Sequence, residues 1–138
     1  MPADFIAWSD LRSVGNDELD VQHQTVVAMI NDLHAAIGRQ AGDTVVASLM
    51  DRLLAYTTLH FAHEEKLLQE CEFPHLDRHR RLHQKMLAKT RNLWERSLVP
   101  GGVSAEELLR FLKAWWTIHV CGEDQEYAPY LQEALAVD

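Results

Sequence analysis

Five histidines constrain this chain more than any other feature. His23, His60, His79, His83 and His119 all stand where a helical apolar stripe asks for Leu or Val. The stripes run through His23, Val26, Val27, Ile30, Leu33, His34 and Ile37, then Val46, Leu49, Leu53, Tyr56, His60, Glu64, Leu67 and Cys71. They continue through Leu76, His79, His83, Met86, Thr90 and Leu93, and finally Leu108, Leu112, Trp115 and His119. An uncharged buried imidazole needs hydrogen bonds at both nitrogens, and five without partners would cost several kcal/mol. Coordination of a metal removes that cost.

The spacing supports this reading. On a helix His60 and Glu64 are four residues apart, so they share a face with Cβ atoms roughly 6 Å apart, and His79 and His83 repeat the geometry. Imidazole with carboxylate suits iron or zinc better than calcium or magnesium, which prefer oxygen shells. Asp124 follows His119 by five residues, a rotation of about 140° on a regular helix. The two side chains converge only if the backbone tightens or bulges between them, a departure that Gly122 eases. Five imidazoles and two carboxylates are too many for one ion. They suit two ions bridged by the carboxylates, with coordination left over for a small exogenous ligand.

Segment boundaries follow from breakers and caps. Residues up to about Leu19 read as an extended arm that buries Phe5, Ile6 and Trp8 on the body. Asp20 is the expected N-cap of a first helix reaching Ile37, and a second begins near Asp43 or Thr44. Pro74 ends the second helix, and Pro100-Gly101-Gly102 ends the third. Ser104 and Glu107 form the pattern of a capping box for the fourth, which weakens at Gly122. A short final helix, about Asp124 to Leu135, is interrupted by Pro129. Short connections between amphipathic helices imply an all-α, antiparallel up-down-up-down four-helix bundle with an N-terminal arm and a short C-terminal helix.

At 138 residues the chain fits one domain, 1–138, able to bury a polar site within a core. Its 21 acidic against 13 basic residues give a formal charge of -8, which repels nucleic acid and anionic membranes. The basic run Arg78, Arg80, Arg81, Lys85, Lys89 and Arg91 is interleaved at helical spacing with apolar positions and reads as a solvated helix face. No apolar stretch approaches the roughly 20 residues that span a bilayer, and no leader pattern opens the chain. The expectation is a cytoplasmic protein without membrane insertion. Cys71 and Cys121 sit in no CxxC spacing and are expected as reduced thiols.

His23 in DVQHQ, His60 and Glu64 in HFAHEE, His79-x-x-x-His83, and His119 to Asp124 in HVCGED resemble the signature of the hemerythrin family, in its bacterial branch. The resemblance extends from Trp8 to Tyr127. It implies a non-heme di-iron centre, oxo- or hydroxo-bridged, that binds O2 reversibly for storage, delivery or sensing. It further implies that His79, His83 and His119 hold one iron and His23 and His60 the other. Glu64 and Asp124 then bridge them, and the second iron keeps an open position for O2. Phe61 and Trp115 look like the family's aromatics lining the O2 pocket. Trp116, three residues before His119, stands where many relatives have Leu and is expected to overhang that pocket.

Two other functions compete. A ferritin-like oxidase uses two Glu-x-x-His motifs, whereas the only match here, Glu72 to His75, is broken by Pro74. A peroxidase or NO-handling enzyme, or a non-catalytic metal or redox sensor module, uses the same ligands; the expectation is a protein that is not an enzyme, with no protein partner indicated. His34, His63 and His75 fall outside the signature, His34 as a core group or one supporting the site. His63 is expected to turn away from Glu64, and Glu65 to face solvent or pair with a base. Gln22, Thr90, Asp77 and backbone carbonyls are the candidates to hold the far nitrogens of the ligand imidazoles.

Overall fold

Residues with helical apolar stripes fold as helices at the expected places in the computed structural model, which describes Ile6, Trp8 and residues 13–131. Helix α1 spans Asp17–Gly38, α2 Gly42–Glu70, α3 Leu76–Ser97 and α4 Ala105–Ala114. They form the antiparallel bundle. α1 packs on α2, α2 on α3, and α1 on α4. The α3–α4 side is looser: α4 lies closer to α2 across the diagonal than to its neighbour α3.

Several boundaries differ from expectation. α1 is capped by Asn16, whose side chain accepts from the Leu19 amide at 3.0 Å. Gly15, at φ 81°, provides the turn just before it. Asp20, the expected cap, instead accepts from the Val14 amide at 2.9 Å and from the Ser13 hydroxyl, tying the incoming chain to the helix. In α2, Thr57 and Leu68 take buried positions while Tyr56 and Leu67 are half-buried. His34 is exposed, not in the core. Ser104 caps α4 by accepting from the Glu107 amide, but only half of the capping box forms. The Glu107 carboxylate accepts two 2.8 Å bonds from Arg96 of α3 instead.

α4 does not continue as an α-helix. Trp115–Val120 is a π-helix and Glu123–Glu126 a 3-10 turn. Helical structure resumes at 128, so Pro129 lies in the first turn of that helix, where its missing N–H costs nothing, and does not interrupt it. The expected extent to Leu135 lies outside the described residues.

Two apolar clusters bracket the histidines. The larger, including Val26, Ile30, Leu53, Phe61 and Leu112, fills the bundle, and Ile6 and Trp8 of the arm pack against it. Ile6 also exchanges two 2.8 Å backbone bonds with the Asn31 side chain. The smaller groups Val14, Leu19, Leu68, Phe73 and Tyr127. Along α1, His23 lies between Leu19 of one cluster and Val26 of the other. Along α2, Glu64 lies between Phe61 and Leu68 in the same way. Phe5 lies outside the described residues.

Candidate metal centre

All seven charged or imidazole residues singled out from the sequence are buried, with 3% or less of each accessible. They come from α1, α2 and α3, from the π-helix that follows α4 and from the 3-10 turn after it. The π-helix supplies the departure that the five-residue His119–Asp124 spacing demands. The Cys121 amide bonds back to the Trp116 carbonyl five residues earlier at 3.0 Å, and the 3-10 turn then brings Asp124 inward. Gly122 makes room for it, since a Cβ there would stand 2.6 Å from the Ile118 carbonyl oxygen.

Two groups of potential ligand atoms result. Glu64, His79, His83, His119 and Asp124 each offer an atom within 4.8 Å of the others, and His23, His60 and Glu64 do the same. Glu64 belongs to both. Its Oε1 is 2.6 Å from His79 Nε2 and 3.0 Å from His83 Nε2, and its Oε2 is 3.4 Å from His60 Nε2 and 3.7 Å from His23 Nε2. Asp124 faces His23, His79 and His119 at 3.1–3.2 Å.

The decisive detail is which atoms lack partners. Nε2 of His23, His60, His83 and His119, and both carboxylate oxygens of Asp124, are buried without an aligned hydrogen bond among the described residues. The far nitrogens are treated differently. His60 Nδ1 meets the Gln22 amide oxygen at 2.6 Å, His83 Nδ1 meets Glu65 at 2.9 Å, and His119 Nδ1 meets Glu123 at 3.1 Å. An acceptor on the outer nitrogen fixes the tautomer whose inner nitrogen offers a lone pair, the arrangement a metal requires. The donor set thus fits two cations of the iron or zinc type.

Without a metal the cluster stores protons. Burial alone would lower the pKa of His23, but hydrogen bonds and attraction from Asp124 and Glu64 outweigh it and raise the value to about 9. His79 rises to about 10 by the same balance. For His60 burial wins, and its pKa falls to about 4. Burial would raise both acids, yet the surrounding imidazoles hold Asp124 at about 2 and Glu64 well below the usual carboxylate range. A cation must displace these protons to enter.

Of the expected supporting groups, Gln22 is in place. Thr90 bonds to the Met86 carbonyl of its own helix, and Asp77 faces Arg80. Glu65 does pair with a base, Arg80, but also holds His83. Glu123 is not among the groups expected from the sequence, although its place four residues after His119 puts it within reach of that ring. Tyr127 is fully buried and donates to Glu64 Oε2 at 2.9 Å. His63 turns from Glu64 as expected, but its Nδ1 meets the Gln22 amide nitrogen at 3.1 Å and its Nε2 meets Glu18 at 3.0 Å. Gln22 is therefore held on both sides. His75 and Glu72 are exposed and take no part.

The aromatic residues divide. Phe61 stacks on His83 with centroids 3.9 Å apart and lies 5.7–5.9 Å from His60 and His119. Trp115 lies 6.2 Å from His119. Trp116 is buried with its ring tilted against Trp8 at 6.2 Å.

Comparison with known proteins is consistent with this geometry. Residues 14–131 match the family model described as the hemerythrin HHE cation binding domain. A bacteriohemerythrin of Stenotrophomonas maltophilia is 31% identical over 131 residues, covering 95% of this chain and 84% of that protein. One of Pseudomonas aeruginosa is 27% identical with the same coverage, and a hemerythrin-like protein of Naegleria gruberi is 28% identical over 87% of this chain and 88% of its own. A crystal structure of wild-type hemerythrin superposes with a TM-score of 0.80 at 23% identity, covering 93% of this chain and 98% of that one. Among the described residues no helix is long and apolar enough to cross a membrane.

Proposed function

The chain belongs to the hemerythrin HHE cation-binding family, and on that premise we propose that its buried cluster holds two iron ions and binds O2 reversibly. His79, His83 and His119 are assigned to one iron, His23 and His60 to the other, with Glu64 and Asp124 between them. The observation that carries this reading is that Nε2 of His23, His60, His83 and His119 face inward without an aligned hydrogen bond, while the candidate ligand residues fall into a group of five and a group of three that share Glu64. The smaller group leaves coordination free for a small ligand.

Two ferrous ions held by these residues would supply the electrons that O2 accepts on binding and returns on release. The protein contributes position and dryness. Gln22, Glu65 and Glu123 hold three imidazoles in the ligating tautomer. Tyr127 donates to Glu64 Oε2 and keeps that carboxylate turned toward both groups. The apolar clusters on either side keep water away, which would slow release of bound O2 as superoxide and so oxidation of the irons. Phe61, Trp115 and Trp116 are the expected walls of the ligand space.

The test is an anaerobic iron count followed by an optical spectrum in air. Two irons per chain and a visible charge-transfer band that disappears when O2 is removed support the proposal. Two bound irons and no such band overturn it. Steady turnover of peroxide or NO far above the rate of autoxidation would assign the centre to an enzyme instead.

A further inference from the structure

The loose side of the bundle contains two adjoining spaces. The outer is a recess of about 230 Å³ lined by Lys85, Lys89, Met86, Phe111, Trp115 and Ile118, with His119 and Glu123 at its inner edge. The inner is a small void of about 10 Å³ lined by Leu53, Thr57, Phe61, Thr90 and Leu112 together with Met86, Phe111 and Trp115. The last three residues line both and form the partition between them.

The inner space is at the lower limit for a single water molecule, so the longer O2 molecule fits only when a flexible wall such as Met86 shifts. Its two hydroxyls are already used: Thr57 donates to the Leu53 carbonyl at 2.7 Å and Thr90 to the Met86 carbonyl at 2.7 Å. The one free donor in the lining is the Trp115 indole N–H, buried without a partner among the described residues, and the other walls are apolar, so the space suits an apolar gas better than a cluster of waters. Phe61 is the wall between this void and the imidazoles of His60, His83 and His119. The direct way from the recess to His119 is polar, because Glu123 covers its Nδ1.

The partition has one fixed and one adaptable member. Phe111 has Lys89 Nζ 5.3 Å above its ring. Met86 is half-buried and unbranched, with three rotatable bonds in its side chain. We propose that O2 enters through the seam between α3 and α4, passes Met86 as a side-chain gate, and waits in the void behind Phe61 before reaching the centre. This rests on the O2-binding reading above.

A gate changes the barrier and not the end states. Stopped-flow mixing of the diferrous protein with O2 should show association and dissociation both slowed by about tenfold or more in Met86→Trp, with the equilibrium affinity unchanged. Both should quicken in Met86→Ala, and Phe111→Trp serves if Met86→Trp does not fold. Unchanged rates in all the folded variants overturn the route. So does a change in dissociation alone, which would place Met86's effect on the bound state. A readout independent of iron separates this proposal from the functional one. In the zinc-loaded, diamagnetic protein under O2 pressure, methyl groups of Leu53, Leu112 and Met86 should relax faster than those of Val26 and Ile30. No difference between the two sets overturns the route, whether or not the iron form takes up O2.

Discussion

Around His83 and His119 the outer nitrogens rest on carboxylates, Glu65 and Glu123, whereas around His60 the outer nitrogen rests on the neutral amide of Gln22 and the outer nitrogen of His23 has no hydrogen bond among the described residues. Carboxylate backing makes an imidazole a stronger donor and favours the higher charge state of the metal it holds. An amide orients the ring without that push. On the proposed assignment, one side would be built to keep its metal and the other to stay responsive to what binds there. The two sides are joined through the Glu64 carboxylate, which Tyr127 fixes from behind.

The strongest test of this division removes the shared residue. Glu64→Ala should empty both sides, so that iron measured by plasma emission falls from two per chain toward zero. Retention of one iron would show that the groups are independent. Next in size, His60→Ala or His23→Ala should abolish O2 uptake while the helical circular dichroism is largely kept, whereas His79→Ala should lose iron more broadly. Equal and negligible effects in all three would refute the assignment of sides.

Smaller effects sharpen the contrast. Glu123→Gln and Glu65→Gln should weaken iron retention by about 10- to 100-fold in a chelator competition, the usual cost of losing a supporting group. Gln22→Ala should alter O2 kinetics more than iron retention; the reverse order would break the comparison. Acidity provides a fourth measurement. In the metal-free protein His23 and His79 titrate at about 9 and about 10, above the ordinary imidazole value, so their contribution to stability is full below about 6.5 and is lost as pH rises toward 10. Glu64 and Asp124, both depressed, contribute above their ordinary range and lose that contribution in strong acid. His60, lowered to about 4, works against stability as pH falls below about 6.5. Urea midpoints of the metal-free protein should therefore drop between pH 7 and 10, and those of the metal-loaded protein should not. A change of similar size is expected for Tyr127→Phe, about 1.5–3 kcal/mol of stability in urea unfolding, from the lost bond to a charged acceptor.

The four amphipathic stripes made the bundle legible, and the i, i+4 pairs made His60 with Glu64 and His79 with His83 legible as neighbours. The meeting of Asp124 with His119 was legible as a geometric demand before the π turn was visible. Glu65 and Glu123 were harder to read because each lies at the border of a buried face. Glu65 reaches His83 because α3 approaches closely, and Glu123 reaches His119 across the irregular turn at Gly122; periodicity encodes neither. Asn16 displaced Asp20 as the cap for a similar reason: both residues suit the role, and the turn at Gly15 decides between them. The looseness of the α3–α4 side has no counterpart in the stripes at all.

The π turn at Trp115–Val120 also determines what kinds of inherited change this chain can absorb. Deleting any single residue between Trp115 and Asp124 would shift the register of all those after it by about 100° of helical rotation. In a deletion scan this stretch should be intolerant even at exposed Ile118, where point substitutions are expected to be silent. For these residues the count is inherited information in its own right, separate from the letters.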